Sequence, residues 1–341
     1  MWLTFASGAL AQSFAGLGTD ADGYGAVTPG TVLQFPADHQ AHPAYRIEWW
    51  YLTANLEAAD GTPMGIQWTL FRQAGAPADT ETGWRSAQIW MGHAAVTTPT
   101  QHYVGERFAR GGIGQAGVAA QPFSAWIDDW QMRGADDSFD ALTLTASGQD
   151  FSYALDLTAQ GPLVLHGENG VSVKSAEGQA SYYYSQPYFT VSGALMLDGE
   201  EVTVTGRAWL DREWSSQPLG ASQSGWDWFS LHLPEGEKLM MFRLRDDLAG
   251  DFTSGTWISA DGTPAPMGNG AAIFEPLETT EVAGRQIPTH WRLQVPERGL
   301  DIRTQPVNPQ SYMTTVFPYW EGPIRYSGSH TGVGYLEMTG Y

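Results

Sequence analysis

The sequence predicts an all-β fold, and three of its features support this prediction. The 341 residues include 40 glycines and 20 prolines, which interrupt the chain too often for long helices. With 42% hydrophobic and 13% aromatic residues, the chain is too apolar to be disordered. Strand-like runs separated by turn signals recur along its whole length. Only short pieces such as residues 124–131 could form a turn or two of helix, so we expect purely antiparallel sheets.

Three hairpins are predicted from patterns of strand, turn and return strand. Asp-Gly and Pro-Glu-Gly-Glu segments supply the turns. The pentapeptide Ala-Asp-Gly-Thr-Pro occurs twice, at 59–63 and at 260–264. The predicted strand pairs are 49–56 with 64–72, 182–197 with 202–209, and 226–233 with 238–245.

A weak internal repeat predicts two related β units. Residues 50–56 align with residues 228–233, and each segment is followed by a turn and a return strand that ends in Phe-Arg. Because successive antiparallel strands must protect their edges, two closed or nearly closed barrels fit better than one large open sheet. We assign residues 1–30 to an N-terminal extension, 31–185 to the first barrel and 186–341 to the second.

The N-terminus indicates export. Residues 1–11 are mildly apolar and end in Ala-Leu-Ala, the small-x-small pattern that signal peptidase accepts. The first basic residue is Arg46, so the segment looks like the back half of a signal peptide whose start lies upstream. We therefore expect a periplasmic or secreted protein, and a disordered cytoplasmic N-terminus is the alternative. The sequence contains no run of about 18 consecutive apolar residues, so no membrane-spanning helix is predicted.

The charge balance and the absence of cysteine limit the partners and the chemistry. There are 37 acidic and 17 basic residues, which gives a net charge of −20. An acidic surface repels phosphate backbones, so nucleic acid is excluded as a partner. Without cysteine, the chain has no disulfide, no thiolate nucleophile and no Cys-ligated metal.

Carboxylates interleaved with aromatic residues are the candidate catalytic groups. On a strand, Glu48 shares a face with Trp50, and an indole beside a carboxyl predicts the raised pKa that a general acid requires. Asp211 and Glu213 also share one face, with Arg212 on the opposite face. The alternative is structural, because a buried carboxylate beside an arginine is often a satisfied ion pair.

Other catalytic chemistries have little support in the sequence. The histidines show neither His-x-x-x-His nor His-Glu-x-x-His spacing, so no metal site is predicted. Ser215, Ser216 and Ser224 lie outside any Gly-x-Ser-x-Gly motif, which argues against a hydrolytic triad. The glycine-rich run at 110–114 precedes no helix and is interpreted as a loop. We expect no cofactor.

Five motifs occur in a specific order along the chain. They are Arg-Ile-Glu-Trp-Trp-Tyr at 46–51, Gly-Arg-Ala-Trp-Leu-Asp-Arg-Glu-Trp at 206–214, Gly-Trp-Asp-Trp-Phe at 225–229, Tyr-Trp-Glu-Gly at 319–322 and Gly-Tyr-Leu-Glu-Met-Thr-Gly-Tyr at 334–341. Together they resemble the AttH-like, lipocalin-like family, which contains carotenoid 1,2-hydratases and proteins labelled predicted secreted hydrolases. The resemblance extends from about Gln34 to the end of the chain. It implies two calycin-type β-barrels side by side and a cavity for an apolar ligand.

The resemblance further implies a cofactor-free hydratase that adds water to a carbon–carbon double bond of an isoprenoid or related lipid. Such a reaction needs an acid that protonates the alkene, a surface that stabilises the cation and a bound water. Asp211 is the first choice for the acid, with Glu213 or Glu48 as the alternative acid or the water-orienting base. Pairing with Arg212 would lower the pKa of Asp211 and oppose that role. The aromatic residues expected to bind the substrate are Trp50, Tyr51, Tyr184, Trp209 and Trp228.

Two other functions are compatible with the same residues. A carrier would hold an apolar molecule in the cavity and use the carboxylates only to join the barrels. A carbohydrate-active enzyme would combine two carboxylates with stacking tryptophans. An exposed tryptophan platform would favour the sugar enzyme, whereas a closed pocket with a carboxylate in its wall would favour the hydratase or the carrier. The expected partner is an apolar small molecule, with which peripheral membrane contact is compatible, and the oligomeric state is left open.

Overall fold

The computed structural model describes residues 21–77, 81–136 and 138–341. The predicted signal peptide, residues 1–11, lies outside these ranges. Within them, 23 strands pair antiparallel and form two sheets. Four 3₁₀ turns lie at Ala37–His39, Gly83–Arg85, Pro234–Gly236 and Pro296–Arg298. No helix of the described ranges is long and apolar enough to cross a bilayer.

The first sheet contains thirteen strands and curves into a nearly closed barrel. Its main path runs in the order β4-β3-β2-β1-β13-β12-β9-β8-β7-β6-β5, and β10 and β11 pair with β12. Trp50, Trp68 and Trp130 lie in its core. Its strands are β1 (Ile47–Ala58), β2 (Pro63–Ala74), β3 (Gln88–Thr97), β4 (His102–Arg110), β5 (Ala116–Ala120), β6 (Phe123–Ile127), β7 (Trp130–Gly134), β8 (Ala141–Ser147), β9 (Phe151–Ala159), β10 (Val164–Leu165), β11 (Val171–Val173), β12 (Ala180–Leu197) and β13 (Glu200–Ser215).

The second sheet contains ten strands and forms a half-barrel. Its path is β17-β16-β15-β14-β23-β22-β20-β19-β18, with β21 paired to β22. Phe229, Trp291 and Trp320 lie in its core. The predicted all-β architecture of two lipocalin-like units is therefore confirmed. The strands are β14 (Gln223–His232), β15 (Lys238–Asp246), β16 (Phe252–Ile258), β17 (Pro264–Met267), β18 (Ile273–Val282), β19 (Arg285–Val295), β20 (Leu300–Pro306), β21 (Tyr312–Met313), β22 (Tyr319–Gly328) and β23 (Gly332–Met338).

The three predicted hairpins form as expected, as β1/β2, β12/β13 and β14/β15. The two copies of the pentapeptide make the same turn. The backbone N–H of Thr62 donates to the Asp60 carboxylate at 2.9 Å, and that of Thr263 donates to Asp261 at 3.0 Å. In both turns the glycine that follows the aspartate has a positive φ, which only glycine adopts at no cost. These segments are predictable because the turn residues themselves dictate the geometry.

Residues 124–131, which the sequence allows to form a turn or two of helix, form no helix. This segment is part of β6, a turn and the start of β7. In β6 the buried residues Phe123, Ala125 and Ile127 alternate with more exposed ones, which is the period of a strand. Asp128 makes the turn with φ of 53°, in the left-handed region that aspartate tolerates better than most residues.

The predicted division between residues 185 and 186 does not separate the sheets. It falls inside β12, whose residues 182–186 pair with residues 210–214 of β13. Since β13 also pairs along its length with β1, both strands belong to the first sheet. The change from one sheet to the other lies between Ser215 and Gln223.

The two sheets pack against each other through an apolar layer, which we call the inter-sheet layer. It includes Ile47, Tyr183, Trp209, Trp228 and Phe242. Hydrogen bonds also cross it. The Tyr51 hydroxyl donates to Glu321 at 2.5 Å, Trp228 Nε1 donates to the Tyr183 hydroxyl at 3.1 Å, and Asn55 donates to the carbonyl of Gly334 at 2.8 Å.

Close approach of the two sheets at Gly65 gives a first prediction. A Cβ on this buried β2 residue would lie 2.6 Å from Cγ of Pro323, on β22 of the other sheet. A proline ring cannot rotate away, so Gly65→Ala should lower the free energy of unfolding by about 1–3 kcal/mol. Gly268→Ala is the matched control, because no atom lies within 4 Å of the position that its added methyl group would take. Urea unfolding measures both variants, and equal stabilities would contradict the close packing.

Candidate active site

A pocket of about 160 Å³ lies between the two sheets. The first sheet contributes Trp49, Tyr51 and Tyr183, and the second contributes Trp226, Trp228 and Phe242. Three lining residues on neighbouring strands are exposed, namely Gln73, Ile89 and Phe108, and they mark the mouth. The site is therefore an apolar, aromatic pocket that is open at one end.

The alternation of β1 and β13 decides which side chains reach this pocket. Tyr51 pairs with Asp211, and Trp49 pairs with Glu213, so these four residues share the face that looks toward the second sheet. The residues between them point into the first barrel. The predicted common face of Asp211 and Glu213, with Arg212 opposite, is what the structure has.

Asp211 is a buried carboxyl without a cationic partner in the described part of the chain. Its Oδ1 accepts hydrogen bonds from the Ser185 hydroxyl and from Trp209 Nε1, the latter at 2.7 Å. Its Oδ2 is also buried and has no hydrogen bond of good geometry to any described residue. The Tyr183 hydroxyl lies near this carboxyl and favours its ionised form, which lowers the pKa of Asp211. Desolvation outweighs these donors and, helped by the charge of Glu213, raises the pKa of Asp211 to about 7.

Glu213 lies on the same face in a different electrostatic setting. Its carboxylate forms an ion pair with Lys174 at 2.9 Å. The Lys174 ammonium also lies over two aromatic rings, 4.3 Å from the centre of Phe242 and 4.8 Å from that of Tyr183. On the β13 side of the pocket wall, therefore, Asp211 pairs with no described cation and Glu213 is neutralised by a lysine.

Two further carboxyls, which sequence reasoning missed, come from the second sheet. Glu321 on β22 and Glu337 on β23 are directly opposite each other in the strand register. Burial raises the pKa of Glu337 to about 8 and that of Glu321 well above its usual range, and the charge of Glu337 adds to the effect at Glu321. Glu337 lines the pocket, and Glu321 accepts the hydrogen bond from Tyr51. Both lie in aromatic motifs near the end of the chain, but only the strand register brings them together.

The structure contradicts the raised pKa that the sequence predicts for Glu48. This residue is fully buried on the face of β1 that looks into the first barrel, away from the pocket. Burial alone would raise its pKa, but the guanidinium groups of Arg212 and Arg72 hold the pKa well below its usual range. Arg212 contacts Oε2 at 2.5 Å, Arg72 contacts Oε1, and His42 lies 3.1 Å from Oε2. Glu48 is a structural ion-pair residue.

Two of the five aromatic residues predicted to bind substrate also lie on the wrong face. Trp50 is fully buried in the first barrel, where the Arg212 guanidinium stacks 3.8 Å from its ring. Tyr184 is also fully buried, and its hydroxyl is 2.7 Å from Nδ1 of His39. Both pair with Arg212 in the strand register and so share its inward face.

The other three predicted aromatic residues belong to the inter-sheet layer. Tyr51 and Trp228 line the pocket. Trp209 lies behind Asp211 and donates to it. In the described ranges, no group of three or more His, Asp or Glu side chains could hold a metal ion.

The buried ion pairs of Glu48 give a second prediction. Glu48→Gln leaves two buried guanidinium groups without their charge partner, so the free energy of unfolding should fall by about 3–5 kcal/mol at neutral pH. The stabilisation exists above the unfolded pKa of Glu48, about 4.3, and is lost as the pH falls toward the lower folded value. The difference in free energy of unfolding between the parent and Glu48→Gln, measured by denaturant unfolding, should therefore be smaller at pH 4 than at pH 7.

The control for this experiment is the exposed pair of Glu81 and Arg85, which lie 2.9 Å apart with side chains 52% and 81% exposed. Glu81→Gln should change stability by less than about 1 kcal/mol. A Glu48→Gln variant as stable as this control would show that the buried pairs contribute nothing.

The AttH-like family model matches residues 26–341. An AttH protein from Nitrosomonas europaea is 33% identical over 93% of this chain and 99% of its own, with a TM-score of 0.82. Kievitone hydratase from Nectria haematococca shares the fold at 16% identity, over 94% of this chain and 98% of its own, with a TM-score of 0.70. CghA with Sch210972 is 13% identical over 86% of this chain and 88% of its own, with a TM-score of 0.52. No curated protein matches significantly. The chain therefore belongs to the AttH-like family, as its motifs predict.

Proposed function

We propose that the protein is a hydratase that adds water across a terminal carbon–carbon double bond of an apolar isoprenoid or related lipid. The observation that carries this proposal is Asp211, a carboxyl in an aromatic pocket that pairs with no cation of the described residues and whose Oδ2 has no hydrogen bond of good geometry to them. The hydratase name of the kievitone enzyme, which shares the fold, also supports it. Acyclic carotenoids are the substrate class that the family resemblance suggests.

The acid step follows from the setting of Asp211. With a pKa of about 7, a large fraction of this carboxyl carries a proton at neutral pH, which is unusual for an aspartic acid. In the proposed reaction Oδ2–H protonates one alkene carbon, and a carbocation forms on the other. Water then adds to the cation, and its extra proton passes to Glu213. Return of this proton to Asp211 restores the starting state, so the net reaction is the addition of one water.

The pocket wall suits a short-lived cation. Tyr51, Tyr183 and Trp228 surround the face of the sheet that carries Asp211, and aromatic rings attract positive charge. The one lysine in the wall, Lys174, is already paired with Glu213, so its charge is compensated. The carboxylate of Glu213 in this ion pair also offers an acceptor oxygen that could orient the attacking water.

The size of the cavity limits what fits inside it. A cavity of roughly 150 Å³ holds one benzene ring, and this pocket measures about 160 Å³. A terminal group of about five or six carbons therefore fits beside Asp211. The rest of a longer molecule would leave through the mouth, where Ile89 is 52% and Phe108 48% exposed. A terminal isoprenoid double bond meets both conditions.

A binding protein without catalysis is the second candidate function. It is favoured by the Lys174–Glu213 ion pair, which leaves the wall partly neutralised, and by the apolar lining. The carbohydrate-enzyme hypothesis loses its support, because its four tryptophans form no exposed platform. Trp50, Trp209 and Trp228 are buried, and the half-buried Trp49 lines the pocket.

Removal of the acid gives a third prediction. Asp211→Asn should lower the hydration rate by at least about 100-fold, because an amide cannot protonate an alkene. The protein and the variant are incubated with an acyclic carotenoid or a membrane lipid extract, and mass spectrometry detects a product heavier by one water. Glu275→Gln, at a half-exposed carboxyl outside the pocket, is the control. If both proteins retain the same unchanged lipid and neither forms product, the binding function replaces the hydratase.

The pH dependence gives a fourth prediction. Because the protonated form of Asp211 is the active one, kcat/KM should be constant at low pH and fall tenfold per pH unit above about 7. Initial rates measured from pH 5 to pH 9 test this. A rate that instead rises through pH 7 would mean that Asp211 acts as a base, and would overturn the assignment.

A further inference from the structure

A hydrogen-bonded chain runs from Asp211 through the inter-sheet layer to the second sheet. The Ser185 hydroxyl contacts Oδ1 of Asp211, and its oxygen is 2.6 Å from Nε2 of His166. The other ring nitrogen of His166, Nδ1, is 2.9 Å from the Thr256 hydroxyl on β16. Ser185, His166 and Thr256 are all fully buried, and the proposed reaction uses none of them.

The direction of each hydrogen bond follows from the Trp209 end. An indole N–H can only donate, so Oδ1 of Asp211 must be an acceptor. Ser185 has a single hydroxyl proton, which goes to Oδ1, and its oxygen therefore accepts from Nε2–H of His166. Nδ1 of the neutral imidazole then lacks a proton and accepts from Thr256. The reverse direction would place a proton on Oδ1, beside the donating indole.

We propose that Ser185, His166 and Thr256 are positioning residues that keep Oδ1 of Asp211 an acceptor and so leave its transferable proton on Oδ2, which has no hydrogen bond of good geometry to any described residue. This inference rests on the proposed function, since it specifies which oxygen delivers the proton. It assigns a role to the second sheet, because Thr256 orients an acid on the first sheet without touching it.

The charges around the chain do not disturb this arrangement. Asp211 is approached by Glu213 on its own strand, Tyr183 on β12 and Glu337 on β23. His166 is approached by Lys174, which together with burial lowers the pKa of the imidazole to about 3. Burial has the larger effect of the two. His166 therefore stays neutral over the pH range in which Asp211 titrates.

Loss of the Thr256 hydroxyl should change the pKa of Asp211 through the hydrogen bonds of His166 and Ser185. In Thr256→Val, Nδ1 of His166 loses its donor, so the Nε2–H form is no longer favoured and Ser185 donates part of the time to His166. The Asp211 carboxylate then loses part of a stabilising hydrogen bond, and its pKa should rise by about 0.5–1. Ser185→Ala removes the donor outright and should raise this pKa by about 1–2.

The test uses the substrate-free protein, so that it does not depend on whether the protein is a hydratase. Nitrogen-15 NMR of the imidazole groups reports the tautomer of His166, and carbon-13 NMR of the aspartate carboxyls follows the titration of Asp211. Thr253→Val is the matched control, because Thr253 lies on the same strand as Thr256 but its hydroxyl contacts Asn269 rather than His166. We expect the Nε2–H tautomer in the parent, a raised Asp211 pKa in Thr256→Val and Ser185→Ala, and no change in Thr253→Val.

Two results would overturn the inference. One is an Nδ1–H tautomer in the parent protein, and the other is an Asp211 pKa that both chain variants leave unchanged. If the tautomer and the pKa values are as expected but no hydration is found, the inference about Ser185, His166 and Thr256 is supported and the proposed function fails. If hydration is found, the fall of kcat/KM at high pH should move with the measured pKa of each variant.

Discussion

The pleat of β13 separates two electrostatic environments that lie one residue apart. Arg212 points into the first barrel, where it pairs with Glu48 and stacks on Trp50. Asp211 points the other way, into the layer between the sheets, where no described cation pairs with it and the ammonium of Lys174 is paired with Glu213. If the two side chains shared a face, their attraction would lower the pKa of Asp211 and remove its acidity near pH 7. Strand alternation therefore keeps the Arg212 guanidinium away from Asp211.

The second sheet excludes water from Asp211, which keeps the pKa of this carboxyl high. A carboxyl on an open sheet face would be solvated and ionised at neutral pH. Here the Trp228 and Phe242 side chains of the second sheet cover the face, and Glu337 adds a further group whose ionisation is disfavoured. Burial of several carboxyls with a single lysine is destabilising in itself. It is maintained because the apolar layer around them and the hydrogen bonds across it hold the sheets together.

The sequence predicts the local parts of this arrangement and not the long-range ones. Hairpins, turn residues and the common face of Asp211 and Glu213 follow from spacing of a few residues. The surroundings of Glu48 do not, because its partners Arg72 and Arg212 come from two other strands. Side-chain chemistry alone assigns Trp50 and Tyr184 to the pocket, whereas the register gives them the inward face of Arg212. Glu321 and Glu337 require a register between distant segments.

One motif of this chain contains both a residue that stabilises the fold and a residue that does not. The motif at 206–214 includes Arg212, which stabilises the first barrel, and Asp211, which has no structural partner of opposite charge in the described chain. A motif that served the fold alone would have no need of a buried carboxyl left without a cation, because such a group costs stability. The hydrogen bonds from Trp209 and Ser185 offset only part of this cost, since the pKa stays near 7. What remains is a buried carboxyl that carries a proton near neutral pH, as the proposed reaction requires.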